Sequence, residues 1–237
     1  MTIREAPSPN QDDRPSTPPG TPIDILMLHY TGMQTAQAAI DRLRDPTARV
    51  SSHYVVEEDG TVWRLVPEAR RAYHAGISSW RGHRTLNDRS IGIEIVNPGH
   101  EWGYRPFPAA QMDAVRALCL GILSRHPIPP RNVVGHSDVA PDRKQDPGEL
   151  FDWQGLAQAG IGLWPQATPP PVAPDAVQAA LLHIGYPIPD VPTTLTAFQR
   201  RWRPAQVDGV ADVGTRERLA AVSALLAGLL AGPRSEG

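Results

Sequence analysis

A loop past the middle of the chain gathers three side chains that could act together on one cation. His136, Lys144 and Asp146 lie in one short stretch, which Pro141 and Pro147 interrupt. An apolar pair and a glycine precede the histidine, which predicts that it stands at the end of a buried strand. The prolines exclude a regular helix through this stretch. An imidazole at a strand end and a carboxylate on a returning loop can meet at one metal ion.

A second histidine follows another apolar run. The residues from Ile25 to Leu28 lead directly into His29. In open α/β sheets, sites form beyond the carboxyl ends of the strands. Imidazole and carboxylate suit Zn²⁺, and a catalytic zinc site usually has three protein ligands and one open position. The sequence therefore predicts a His/His/Asp metal site made by His29, His136 and Asp146.

Composition narrows the class of protein. The chain has 237 residues, enough for one or two domains with a sizeable core. Its net charge is -2 and no basic run occurs, so nucleic acid is not an expected partner. The single cysteine, Cys119, lies in an apolar helical stripe and is expected in the core.

The N-terminal segment has no apolar signal region, and no segment is long enough for a transmembrane helix. A cytoplasmic protein is therefore expected. A periplasmic or envelope location, reached by another route or from a trimmed sequence, is the alternative. The sequence does not predict an oligomeric state.

Strands interleaved with helices predict an α/β domain with a mixed central sheet. Strands are predicted at 22–29, 54–57, 61–66, 90–96 and 132–136, with a hairpin turn at Asp59-Gly60. Helices are predicted at 35–44, 108–125 and 153–159. The segment 72–89 has no clear period, which is typical of a binding loop.

Three short motifs, each modest alone, occur in a specific order. They are His29-Tyr30-Thr31-Gly32, the strand from Ser90 to Asn97, and His136-Ser137-Asp138 followed by Lys144-Gln145-Asp146-Pro147-Gly148. Together they resemble the zinc-dependent N-acetylmuramoyl-L-alanine amidases, a family related to the peptidoglycan recognition proteins. The resemblance runs from about residue 8 to 164, and it implies a mostly β central sheet covered by helices.

The resemblance implies roles for five residues. His29, His136 and Asp146 correspond to the family's ligands for one zinc ion per chain. Glu94 corresponds to its catalytic glutamate, whose burial in an apolar strand would raise its pKa into a range useful for proton transfer. Lys144 corresponds to its lysine, which would stabilise the developing oxyanion. From the residues alone, Glu94 could instead lie on the solvated face of an edge strand, and Lys144 could be an exposed loop residue.

Further residues are expected to contact substrate. Five resemble positions that line the family's groove: Tyr30, His53, His74, Asn87 and Asn97. Trp80 could stack on a sugar and Arg81 could pair with a peptide carboxylate. His53 could instead be a supporting or core histidine.

The last third of the chain is predicted to be a separate domain. A Pro-rich linker at 165–174 follows the predicted catalytic domain at 1–164, whose residues 1–21 form an extended lead-in. Three apolar stripes at 175–231 predict a small all-α, three-helix domain. This tail resembles a peptidoglycan-binding domain, notably at Phe198-Gln199-Arg200 and Val207-Asp208-Gly209. A helical appendage without that function is the alternative.

The resemblance implies hydrolysis of the amide bond between the lactyl group of N-acetylmuramic acid and L-alanine. The substrate would be peptidoglycan, which the tail favours, or a soluble muropeptide, which the missing signal region favours. One alternative is a peptidoglycan recognition protein that binds without cleaving. Another is a zinc peptidase that cuts within the stem peptide.

Overall fold

The fold is taken from a computed structural model that describes residues 2–15 and 22–231. Within these ranges the chain forms ten strands and eight α-helices. The strands are β1 (Ile3–Glu5), β2 (Gln11–Asp13), β3 (Ile25–Tyr30), β4 (Tyr54–Val56), β5 (Val62–Arg64), β6 (Arg70–Ala72), β7 (Ser79–Trp80), β8 (His83–Arg84), β9 (Ser90–Ile95) and β10 (Val133–Gly135). The helices are α1 (Ala36–Arg44), α2 (Gly99–Trp102), α3 (Ala109–Arg125), α4 (His136–Val139), α5 (Trp153–Gln158), α6 (Val177–Ile184), α7 (Val191–Trp202) and α8 (Val213–Ala231).

A six-stranded sheet forms the centre, in the order β1-β5-β4-β9-β3-β10. Only the β4–β5 hairpin is antiparallel, and the other four pairings are parallel. The predicted mixed α/β sheet flanked by helices is therefore confirmed. Because β3, β9 and β10 run parallel, their carboxyl ends meet at one edge, and the side chains that follow these strands are brought together there.

The two faces of the sheet are covered by different parts of the chain. Side chains alternate between the faces along a strand. Leu26 and Leu28 pack in one cluster with α3. Ile25, Met27 and Val134 pack in another cluster with α6, α7 and α8. Each such buried side chain stabilises the fold by about 1.5–3 kcal/mol relative to exposure. The helical tail thus covers one face of the sheet.

The N-terminal lead-in is part of the domain. Its β1 pairs in parallel with β5, and its β2 pairs with β6. Beyond β2, the Arg14 guanidinium donates to the backbone oxygens of Asn87, Asp88 and Ser90 at 2.9–3.1 Å. The composition of this segment is typical of disorder, but strand pairing orders these residues. Positions 1 and 16–21 of the predicted lead-in lie outside the described residues.

The three helices predicted in the tail are present as α6, α7 and α8. The side chain of Asp212 accepts a hydrogen bond from the Thr215 amide at 2.8 Å, which caps the start of α8. The domain boundaries drawn from the sequence stay predictions. Within the described ranges, no helix combines the length and the apolar character needed to cross a membrane.

Candidate metal centre

Three buried side chains converge at the carboxyl edge of the sheet. The Nδ1 atom of His29 lies 3.0 Å from His136 Nδ1 and 3.0 Å from Asp146 Oδ2, and His136 Nδ1 lies 3.1 Å from the same oxygen. Exposure is 1% for His29, 3% for His136 and 6% for Asp146. The structure thus brings together the three residues that the sequence singled out as metal ligands.

Hydrogen bonds on the outer side of the rings fix which nitrogen is free. Ser90 Oγ donates its hydrogen to Leu86 O at 2.6 Å, so it can only accept from His74 Nε2 at 3.2 Å. His74 Nδ1 then accepts from His29 Nε2 at 3.0 Å. In the same way His136 Nε2 donates to Ala75 O at 3.1 Å. Both inward Nδ1 atoms therefore carry lone pairs instead of hydrogens.

Two lone pairs and a carboxylate oxygen facing one another at about 3 Å need a cation between them. Ligands about 2.1 Å from a tetrahedral Zn²⁺ would stand about 3.4 Å apart, close to the spacing seen here. Two imidazoles and one carboxylate also form a common donor set for a catalytic zinc. The residues present therefore fit a zinc ion, with room for a further ligand on the cavity side.

The local charges suit metal binding. Burial, followed by the neighbouring His136, lowers the pKa of His29 to about 4, which keeps its imidazole neutral at pH 7. Burial alone would raise the pKa of Asp146, but the two histidines hold it below its ordinary value. A neutral ring and an ionised carboxylate are the forms that bind a metal.

The segment that carries His136 differs from the prediction in one respect. His136 does not end a strand; it is the first residue of the single-turn helix α4, which follows β10 directly. The prolines do not prevent this turn because it ends at Val139, before the first of them. Ser137 N then donates to Asp146 O at 2.9 Å and draws the returning loop back. A side chain at Gly135 would approach Pro147 to 2.8 Å, so this close return requires glycine.

The helical tail holds α4 from the opposite side. Asp138 is fully buried in α4, and it accepts from Arg201 Nη1 at 2.6 Å and from Tyr186 Oη at 2.5 Å. Arg201 Nη2 also donates to Val133 O in β10 at 2.9 Å. The junction between β10 and α4 is thus clamped by two residues of the tail, a contact that no sequence pattern predicted.

A cavity of about 440 Å³ opens over the three converging residues. Glu94 and Lys144 line it together with His136 and Asp146. Residue pairing between β3 and β9 sets Glu94 directly beside His29. Because β9 lies between β4 and β3, Glu94 is not on an edge strand, which removes the edge-strand alternative.

Glu94 is the partly buried acid of this cavity. Burial, with a smaller effect of Asp146, raises its pKa well above the ordinary value, while Lys144 opposes the rise. Its Oε2 is buried and has no hydrogen-bond partner in the part of the chain that the structure describes. A raised pKa makes this carboxylate a stronger base than an ordinary glutamate, as proton transfer in catalysis requires.

Tyr30 lies on the rim of the cavity, where a substrate contact was predicted for it. Its hydroxyl is 3.0 Å from His100 Nδ1, and His100 Nε2 is 3.1 Å from Glu149 Oε2. The ring of Tyr104 stacks on His100 with centroids 4.4 Å apart. Sequence reasoning missed His100 and Glu149, because they come from separate loops without a pattern that links them.

Three other predicted contact residues support the site from behind. Asn87 Oδ1 accepts from the amides of His74 and Ala75, which shapes the loop that carries them. Asn97 is 1% exposed, and its side chain donates to Arg105 O at 2.8 Å. His53 is fully buried, in keeping with its reading as a core residue.

His53 Nδ1 accepts from Gly92 N at 3.0 Å, and burial lowers the pKa of this ring to about 3. His74 lines the cavity, yet it is only 8% exposed and its ring contacts His29. His74 therefore lies beside the cavity and also supports the ring of His29.

Trp80 and Arg81 are not part of this cavity, which corrects the predicted sugar and carboxylate contacts there. Trp80 is 3% exposed and packs edge-on against Tyr186 of the tail. Arg81 Nη1 donates to Ile184 O at 3.0 Å. The segment that carries them turns away from the metal site and towards α6.

Comparison with known proteins identifies the family of this chain. A family profile described as N-acetylmuramoyl-L-alanine amidase matches residues 19–149, more than half of the chain. The chain belongs to this family, the N-acetylmuramoyl-L-alanine amidases. AmiD of Escherichia coli (strain K12), an N-acetylmuramoyl-L-alanine amidase, is 40% identical over 223 residues, which cover 82% of this chain and 80% of AmiD.

Solved structures extend the likeness through the tail. A complex of E. coli AmiD with the substrate anhydro-N-acetylmuramic acid-L-Ala-D-gamma-Glu-L-Lys has a TM-score of 0.76 at 38% identity and covers 84% of this chain and 88% of AmiD. AmpDh3 from Pseudomonas aeruginosa has a TM-score of 0.80 at 34% identity, with 91% and 96% covered. By contrast, the 1,6-anhydro-N-acetylmuramyl-L-alanine amidase AmpD of E. coli (strain K12), 36% identical, matches 63% of this chain and 87% of AmpD.

Proposed function

We propose that this amidase holds one Zn²⁺ with His29, His136 and Asp146 and uses Glu94 and Lys144 for the chemistry. The observation that supports this most directly is the convergence of two unprotonated Nδ1 atoms and a carboxylate below a cavity. The scissile bond is the amide between the lactyl group of the muramic acid and L-alanine. This is the bond named by the family to which the chain belongs.

The protein's own residues account for the proton transfers. When bound, zinc supplies Lewis acidity, which polarises a carbonyl and makes water more acidic. Glu94 takes a proton from the attacking water, because its raised pKa makes it a stronger base than an ordinary carboxylate. The same carboxyl group then gives this proton to the departing amine of L-alanine.

Lys144 contributes charge. It lines the cavity beside Asp146, and its ammonium stabilises the negative charge that develops on the carbonyl oxygen in the transition state. His74 and Ala75 O hold the two ligand rings in the required tautomer and orientation.

The substrate is a muropeptide. AmiD was solved with an anhydro-muramyl tripeptide and AmpDh3 with an anhydromuramic pentapeptide. A cavity of about 440 Å³ with a polar rim suits a ligand of that kind. Peptidoglycan binding by the helical tail and the cytoplasmic location both stay predictions from the sequence.

The test uses anhydro-N-acetylmuramic acid-L-Ala-D-γ-Glu-L-Lys as substrate for the zinc-loaded chain. Mass spectrometry should show the free lactyl carboxylate and the intact tripeptide. A chelator should stop the reaction and zinc should restore it. Cleavage inside the tripeptide would favour the peptidase, and binding without cleavage at any zinc level would favour the recognition protein; either result contradicts the proposal.

A further inference from the structure

A second cavity, of about 420 Å³, lies at the opposite end of β3 from the metal site. Ile25 begins β3 and lines this cavity, whereas His29 lies about 13 Å further along the strand. The walls come from the sheet domain and from α6 and the residue after it. The lining residues used below are Asp24, Trp80, Arg81, Arg131, Asn132 and Gly185.

The cavity carries uncompensated positive charge. Arg81 and Arg131 both line it, and neither forms a salt bridge within residues 2–15 and 22–231. Burial and the neighbouring Arg131 lower the pKa of Arg81, so the two guanidinium groups are close enough to repel each other. The carboxylate of Asp24 also lines the cavity, but Arg89 already pairs with both of its oxygens. A ligand with a negative charge would relieve this repulsion.

Buried polar atoms around the cavity lack partners. Trp80 Nε1, Arg131 Nε and Asn132 Oδ1 have no hydrogen bond within the described part of the chain. Trp80 is 3% exposed and Asn132 8%. These three atoms have almost no accessible surface, so they lie in the wall behind the cavity and a ligand inside it does not reach them. The polar groups that remain partly exposed in the lining include the guanidinium groups of Arg81 and Arg131, which match a carboxylate.

We propose that this cavity is a second binding site, which takes the carboxylate end of a stem peptide. The choice of a stem peptide rests on the proposed function, because the substrate of that reaction carries such a peptide. The guanidinium groups of Arg81 and Arg131 would donate to the carboxylate. A protein molecule bound to one stem peptide stays close to neighbouring stem peptides. This raises the effective concentration of those peptides at the metal site.

The tail is needed for this site. Gly185, at the end of α6, forms one wall, and Arg81 is held there by its bond to Ile184 O. A side chain at Gly185 would approach Arg81 to 2.6 Å, so the glycine keeps this wall open. The second site therefore exists only where the helical tail packs against the sheet.

The test is an NMR titration of the full, zinc-loaded chain with the free tripeptide L-Ala-D-γ-Glu-L-Lys. The indole N–H signal of Trp80, identified by its loss in Trp80→Phe, reports this cavity and not the metal site. Arg131→Gln is the informative variant, because within residues 2–15 and 22–231 the Arg131 side chain forms no hydrogen bond whose loss would disturb the fold. Arg116→Gln is the matched control, since Arg116 lies on α3 and, among the residues that the structure describes, forms a salt bridge with Asp113 alone.

The tripeptide should shift the Trp80 signal in the wild type and in Arg116→Gln. Arg131→Gln should bind about tenfold more weakly, as expected for one lost charge-assisted hydrogen bond. Its kcat on the soluble muropeptide should stay at the wild-type value. The proposal would be overturned if the tripeptide left the Trp80 signal unchanged or if Arg131→Gln bound the tripeptide as tightly as the wild type. It would also be overturned if acetate shifted the Trp80 signal as the tripeptide does.

The two proposals fail separately. An inactive chain whose Trp80 signal responds to the tripeptide would contradict the amidase mechanism alone. An active chain whose Trp80 signal stays unchanged would contradict the second site alone.

Discussion

Replacing Arg201 by methionine should lower the free energy of unfolding strongly, although Arg201 does not touch the metal site. The guanidinium is 4% exposed and its partner Asp138 is 1% exposed. Arg201→Met leaves this carboxylate buried, with only Tyr186 Oη and the Gly135 amide as donors. Removing one partner of a buried ion pair costs about 3–5 kcal/mol. That is a large share of the roughly 5–15 kcal/mol by which a typical domain is stable.

Urea unfolding, followed with and without zinc, measures this loss. Metal binding to the folded chain adds its own stabilisation, so the metal-free series gives the value to compare. Arg203→Met is the control. The Arg203–Asp212 pair is partly exposed, so it should contribute at most about 1 kcal/mol to the free energy of unfolding.

Asp138→Asn completes a double-mutant cycle. The Arg201→Met/Asp138→Asn protein should be more stable than the sum of the single changes predicts, because it no longer buries an unpaired charge. A loss of less than about 1 kcal/mol in Arg201→Met, with an unchanged urea dependence, would refute the idea that the tail clamps α4.

Four further outcomes are expected. Glu94→Gln should keep its zinc while kcat falls about 10²–10⁴-fold in a muropeptide assay, and Lys144→Ala should lower kcat about 10²–10³-fold. Deleting residues 165–237 should reduce thermal stability and activity even on soluble muropeptide, because it exposes an apolar face of the sheet; full activity would show the tail to be only an anchor. Burial alone would raise the pKa of Glu68, but hydrogen bonds from Arg125 and two other side chains lower it to about 2. The stability that Glu68 adds is thus present above about pH 4.5 and lost as the pH falls towards 2, so melting temperatures of wild type and Glu68→Gln should converge there.

The convergence of His29, His136 and Asp146 could be predicted because chemistry and topology agree on it. His29 and His136 follow apolar runs that had to be neighbouring strands, and parallel strands end at a shared edge. Asp146 was chosen for its position on the loop that returns to this edge. What the pattern missed is that His136 opens a single helical turn, because a turn of four residues is too short to have a period of its own.

Tertiary contacts decided the rest. The short strands β1 and β2 have a composition typical of disorder, and only their pairing with β5 and β6 orders them. The apolar stripes of the tail predicted buried helix faces, but such a stripe does not predict which part of the protein packs against it. Trp80 and Arg81 lie in a segment without a period, so their contacts with the tail could not be read from the sequence.

The zinc content of the purified chain tests the central claim most directly. Elemental analysis should find about one zinc per chain in the wild type and almost none in His29→Ala, His136→Ala or Asp146→Ala. His53→Ala is a useful comparison, because that buried histidine lies outside the converging set and should not abolish binding. A wild type without zinc after loading, or ligand variants that keep a full equivalent, would contradict the account.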